Sequence, residues 1–222
     1  MSSGGETRVI PLRLAAFAYP EGHPLAGQAG VVYAYAIVSG RGTILYDTGI
    51  GFGNDWVDRT LRPNTRDVRE ALLEAGISPS TVTRIVHSHL HFDHCGQDRS
   101  FPGVPIFVQR SEKKAAMEPG YTINAWVDFP GSRYELVDGD HDLGAGIWIL
   151  DTPGHTLGHQ SMTIENTEGL VVLAGHAIFS AAEYRGEAPP AESSEPARAS
   201  GERLRALHPA RVYFSHDDAT CP

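Results

Sequence analysis

The chain has 222 residues, 41% hydrophobic and 20% charged, enough for one domain with a substantial core. No run approaches the roughly 20 apolar residues that cross a bilayer, so no membrane span is expected. A formal net charge of −9 with no basic cluster excludes nucleic acid as a natural partner, because phosphate backbones are held by grouped Lys and Arg.

The start, MSSGGETRVIPLRL, lacks a basic-then-apolar leader, so a cytoplasmic protein is expected, with residues 1–222 as a single domain. Apolar strands read at 31–39 and 42–49 around a Gly-Arg-Gly turn, a hairpin signal. TRDVREALLEAG (65–76) places Val68, Leu72 and Leu73 on one helical face and closes on Gly76. A short strand, TRIVHS (83–88), precedes another at 104–110. A helix follows in SEKKAAMEP, with Ser111 as its cap and Glu112 acidic in its first turn. Further strands fall at 134–137, 146–151, 160–165 and 169–174, then a helix at 195–207 and a last strand at 211–215. Residues 181–196, rich in Pro, Ala, Glu and Ser, read as a mobile loop. Strands in two blocks, each followed by helices, suit two sheets sandwiched between helices.

Two cysteines, Cys95 and Cys221, are too few for a disulfide framework or a cysteine-rich zinc site; the chain's eleven histidines carry the chemistry. SHLHFDH (88–94) places His89, His91, Asp93 and His94 within six residues, on a loop at a strand end. Neutral imidazoles with a carboxylate are the donors that zinc and similar cations prefer. A catalytic metal site also needs ligands from distant segments. His155, in a Gly-flanked turn after IWIL, and His216, after VYFS, stand where later strands end.

HxHxDH, TPGHTLGH and a late strand ending in SHD resemble the metallo-β-lactamase superfamily. ILYDTG, SHLHFDHCGQ, VPIFVQRSE and GHQS make the chain most similar to its N-acyl homoserine lactonase, or quorum-quenching, branch over nearly the whole length. The resemblance implies an α/β fold, an αββα sandwich of two mixed β-sheets flanked by helices. It implies zinc, one or two ions, with His89, His91 and His155 on one and Asp93, His94 and His216 on the other. Asp47 corresponds to a carboxylate that orients the ligands from behind. The implied reaction is lactone opening by metal-bound hydroxide, with Asp93 as catalytic residue. A small acyl lactone or ester is the implied substrate, its apolar part lying against Phe52, Trp56, Phe92 and Phe179.

The family places a metal-bridging Asp where this chain has His176, in VVLAGHAIFS, and often a Tyr where it has Phe179. A neutral imidazole cannot bridge two ions as a carboxylate does, so the second ion is expected to be held weakly. His176 is open to three readings: a fourth ligand beside His89, His91 and His155, a proton shuttle, or a supporting residue. His159 reads as structural, His87 as pointing away from the metal, and His23, His141 and His208 as surface residues. Cys95 reads as a small buried filler. Hydrolysis of another ester or thioester, and a non-catalytic sensor that kept the fold, are the alternatives to a lactonase.

Overall fold

The computed structural model describes residues 6–22 and 25–222. Its strands are β1 (Arg8–Ala18), β2 (Ala29–Ser39), β3 (Gly42–Tyr46), β4 (Asn64–Thr65), β5 (Val82–Val86) and β6 (Pro105–Gln109). They continue as β7 (Arg133–Val137), β8 (His141–Gly144), β9 (Ile147–Asp151), β10 (Gln160–Asn166), β11 (Gly169–Leu173) and β12 (Arg211–Tyr213). The helices are α1 (Asp55–Thr60), α2 (Val68–Glu74), α3 (Phe92–Cys95), α4 (Arg110–Ala115), α5 (Asn124–Val127), α6 (Ala181–Tyr184) and α7 (Glu195–Ala206). Seven strands form one sheet in the order β4-β1-β2-β3-β5-β6-β7, and five form another in the order β12-β11-β10-β9-β8. Both are mixed: β3, β5, β6 and β7 run parallel, as do β11 and β12, while the remaining pairs are antiparallel.

Period-two alternation sets the layers. Tyr35, Ile37, Ile44 and Tyr46 point from the larger sheet toward Ile147, Ile149, Met162 and Leu173 of the smaller one, and this is the inter-sheet core. Their neighbours Ala34, Ala36 and Leu45 point the other way and pack under Val68, Ala71 and Leu72 of α2. On the far face of the smaller sheet, Val172 and Val212 meet Leu204 of α7. The result is the helix–sheet–sheet–helix order expected.

Helix ends follow their local chemistry. Asp67 caps α2 by accepting from the Arg69 and Glu70 amides, and Ser194 caps α7 through the Ala197 amide. Gly76, at φ +74°, ends α2 with its amide on the Leu73 carbonyl and the Ile77 amide on Leu72, a Schellman closure. The expected Ser111 cap is not formed. α4 begins at Arg110, its entry residue Gln109 makes no side-chain cap, and Ser111 lies inside the first turn. The loop expected at 181–196 begins with α6, and its later residues run along the rim of a cavity. Among the described residues, no helix is long and apolar enough to cross a membrane.

Candidate active site

Parallel chain directions bring the ends of several strands to one edge of the sandwich. Asp47 follows β3, His89 to His94 follow β5, His155 follows β9, His176 follows β11 and His216 follows β12. The expected loop of ligands is partly helical: His91 sits at the entry of α3, and Asp93 and His94 lie on it.

The seven candidates converge. His91 Nδ1 lies 3.1 Å from His89 Nε2 and 3.2 Å from His155 Nε2. Asp93 Oδ2 lies 3.5 Å from His94 Nε2 and 3.4 Å from His216 Nε2. Nitrogens on a tetrahedral ion at about 2.0–2.1 Å stand roughly 3.3 Å apart, so both triplets have the edges of a zinc-like site. A third triplet, His89, His94 and His176, has its donor atoms within 4.8 Å of one another. The His176 ring packs centroid to centroid 4.2 Å from His155 and 4.6 Å from His216. Of the four-histidine set expected for His176, its triplet keeps only His89: His94 takes part, and His91 and His155 do not.

Hydrogen bonds behind the cluster fix which nitrogen faces inward. Asp47 Oδ2 accepts from His94 Nδ1 at 2.8 Å and from the Ser88 hydroxyl at 2.9 Å, while Oδ1 accepts from the Ser88 amide at 2.7 Å. The Ser88 hydroxyl in turn accepts from His89 Nδ1 at 3.0 Å. His216 Nδ1 donates to the Val31 carbonyl at 2.6 Å, and His155 Nδ1 to Glu192 Oε1 at 3.1 Å. Each bond spends the outer nitrogen and leaves Nε2 with a lone pair toward the cluster. His94 Nε2 and His176 Nε2 are buried without a hydrogen-bond partner, as ligand atoms awaiting a cation would be.

Electrostatics favour neutral donors at His89, His91, His176 and His216, whereas at His94 burial, which lowers the imidazole, is outweighed by the Asp93 and Asp47 carboxylates, which raise it. Burial first, and then the surrounding imidazoles, push His89 and His176 far below the ordinary imidazole range. Burial brings His91 down to about 4 and also lowers His216, both against the pull of Asp93. Burial alone would raise the carboxyls of Asp47 and Asp93, but the imidazoles beside them outweigh it and keep both ionised. Neutral imidazoles around ionised carboxylates fit a divalent cation.

The other histidines are spent elsewhere. His159 Nδ1 donates to the Thr152 carbonyl, and its Nε2 accepts the His176 amide at 2.8 Å, so it holds the His176 backbone. His87 lies buried against Asp98 at 2.8 Å and is raised to about 10. Burial tends to lower it; the Asp98 and Asp47 carboxylates prevail. His141 stacks loosely on Phe107, His208 lies beyond α7, and His23 is outside the described residues. Cys95 is buried, its thiol bonded to the Leu90 and His91 carbonyls and pushed up by burial.

A cavity of about 730 Å³ opens onto the cluster. Asp93, His91, His155, His176 and His216 form its polar floor, and Phe17, Ile50, Trp56, Leu61, Phe92 and Phe179 its apolar walls. Phe52, expected here with Phe92 and Phe179, is not among the lining residues and stands 55% exposed.

Two contributors escaped the sequence reading. Glu112, expected as a solvated first-turn acid, is fully buried; its Oε1 accepts from the Leu90 amide at 2.8 Å and its Oε2 from the Thr156 hydroxyl at 2.7 Å. It thereby ties the His89–His91 segment to the His155 turn. Glu192, from the Pro-rich loop, supports His155 and gave no local signal.

Known proteins share this architecture. The family model described as the metallo-beta-lactamase superfamily matches residues 27–216. An N-acyl homoserine lactonase of Bacillus sp. is 32% identical over 203 residues, covering 84% of this chain and 81% of that protein. The N-acyl homoserine lactonase AiiA of Bacillus thuringiensis subsp. kurstaki is 31% identical with the same coverage. A solved N-acyl homoserine lactone hydrolase, with the product N-hexanoyl-L-homoserine at its catalytic metal centre, superposes with a TM-score of 0.79. It is 28% identical, over 98% of this chain and 95% of that one.

Proposed function

The chain belongs to the metallo-beta-lactamase superfamily, and within it we propose that residues 1–222 form one metal-dependent hydrolase domain that opens acyl lactones of the N-acyl homoserine lactone type. The observation that carries this reading is the apolar cavity of about 730 Å³ whose floor is the His/Asp cluster. An acyl chain fits the walls while a carbonyl reaches the floor, and the similarity to homoserine lactonases over 84% of the chain supports the same substrate class.

The cation, zinc by its donor set, would be held by His89, His91 and His155 and by Asp93, His94 and His216. A bound divalent ion supplies a Lewis acid for the carbonyl and lowers the pKa of water toward about 7. Phe92 and Trp56, edge to face at 5.6 Å, hold the apolar part and exclude water from that side. Asp93, kept ionised, orients the attacking water through the oxygen not turned to the imidazoles, and then carries its proton to the leaving alkoxide. Phe179 stacks against His216 at 5.3 Å and offers the carbonyl no hydroxyl. That feature favours the nearest rival, an ester or thioester hydrolase. A cytoplasmic setting is part of the same proposal.

The test is incubation with acyl homoserine lactones of several chain lengths beside simple esters and thioesters, following acid release. Lactone opening that improves with acyl length is the expected result. No opening at any length, with brisk thioester cleavage, would transfer the assignment to the rival.

A further inference from the structure

The seven inward residues do not divide into two independent sites. His89 belongs both to the triplet with His91 and His155 and to the triplet with His176; His94 belongs both to the triplet with Asp93 and His216 and to the triplet with His176. Each imidazole has one inward lone pair and serves one ion at a time. An ion on His89, His94 and His176 therefore takes one ligand from each outer triplet and leaves neither complete.

We infer that a single divalent cation occupies this central, all-imidazole position, and that a second ion displaces it into the two outer triplets. This rests on the reading of the cluster as a metal site, and it assigns His176 its role there.

Unsatisfied buried atoms decide between the positions. His94 Nε2 and His176 Nε2 are both buried without partners, and leaving such an atom unpaired costs free energy. An ion on His89, His91 and His155 leaves both orphaned, and one on Asp93, His94 and His216 leaves His176. Only the central ion satisfies both.

The residues that a central ion leaves behind already face each other. His91 Nδ1 and His155 Nε2 are 3.2 Å apart, a hydrogen-bond distance, whereas Asp93 Oδ2 and His216 Nε2, 3.4 Å apart, are both acceptors on the cavity floor, where water can reach them. The support behind the central position is also the stronger. Asp47 accepts from His94 Nδ1 directly and reaches His89 Nδ1 through the Ser88 hydroxyl, so one buried carboxylate makes two of its three imidazoles better donors. The His176 ring is held in place from its backbone. Its amide is bonded to His159, and a Cβ on Gly175 (φ +59°) would come 2.5 Å from His159 Nε2, so the turn admits no side chain there.

With two ions the same geometry works against His176. Its one lone pair reaches only one ion, so the anion between them has to come from solvent, substrate or product.

The experiment uses the full chain stripped by chelator and titrated with Co²⁺ alone against a competing chromophoric chelator. His176→Ala should weaken the first equivalent by about tenfold or more, the lower end of what disturbing even a ligand's supporting partner costs. His155→Ala should leave the first equivalent within about threefold, less than that lower end, and abolish the second. The reverse pattern, with His155→Ala weakening the first ion and His176→Ala leaving it unchanged, overturns the inference. X-ray absorption of the unaltered protein gives a measurement free of folding defects. One equivalent of Zn²⁺ should show no metal–metal vector and two equivalents one near about 3.5 Å; a metal–metal vector at one equivalent overturns the inference. Tight Co²⁺ binding without lactone opening would remove the substrate assignment alone, whereas no binding of either ion would remove both.

Discussion

Asp47 shows how one carboxylate can set the chemistry of a cluster it does not enter. At φ +64° it occupies the left-handed region that Asp and Asn tolerate best, so Asp47→Asn keeps the backbone while changing one oxygen to an amide. That amide would present a donor to the Ser88 pair or to His94 Nδ1. Turned toward His94, it would push the imidazole proton from Nδ1 to Nε2, removing the lone pair from the atom that faces the site. Asp47→Asn should therefore weaken Co²⁺ binding by about 10–100-fold, read by chelator competition. Unchanged affinity would show that Asp47 has no part in orienting the ligands. The Asp-Thr-Gly turn suggested this carboxylate in the sequence. The tautomer logic was not legible, because it depends on Ser88 and His94 folding back 41 and 47 residues away.

Among the elements, the strands with a regular apolar pattern were legible and those with mixed demands were not. β2, β3, β5, β6, β9, β10 and β11 follow the expected segments closely. β1 did not, because RVIPLRLAAFA carries Pro11 and two arginines; the strand tolerates Pro11 where β1 pairs with β2 on one side only. β8 is too short and polar to show a period, and the four-residue helices α3, α5 and α6 are below the length at which a 3.6-residue repeat can be read. Glu112 was misread for a related reason: a first-turn acid is ordinarily solvated, and only tertiary contacts turn this one inward. Glu112→Ala strips acceptors from the Leu90 amide and the Thr156 hydroxyl, each buried donor costing about 1–3 kcal/mol. A loss of roughly 3 kcal/mol in denaturant unfolding is expected, because a backbone amide cannot turn away. Glu112→Gln should recover most of it, since its carbonyl can still take Leu90. If Glu112→Ala unfolds at the unaltered midpoint, the two ligand loops are held by something else.

Across the whole molecule, each candidate triplet joins the two sheets in the same proportion. His89, His91, Asp93 and His94 follow β5 of the seven-stranded sheet, whereas His155, His176 and His216 follow β9, β11 and β12 of the five-stranded one. Every triplet takes two residues from the first group and one from the second. A bound cation is thus a cross-link at the open edge of the sandwich, beyond the inter-sheet core of Tyr35, Ile37, Ile149 and Met162. Sequence spacing could reveal the ligands but not this division, because the sheet to which a strand belongs is decided by pairing across distant segments. Since the unfolded chain cannot assemble any triplet, binding must stabilise the fold by mass action. Free cation at about 100 times Kd contributes about 2.7 kcal/mol, which for a chain of this size raises Tm by about 5–11 °C. Chelation should lower Tm by that amount, and zinc or cobalt should restore it. Because the ion ties one sheet to the other, the gain should disappear in His89→Ala and His94→Ala together, which leave no triplet complete. A melting temperature indifferent to chelator in the unaltered chain would mean that no cation spans the sheets. A chelator shift that survives the double substitution would place the stabilising ion elsewhere in the molecule.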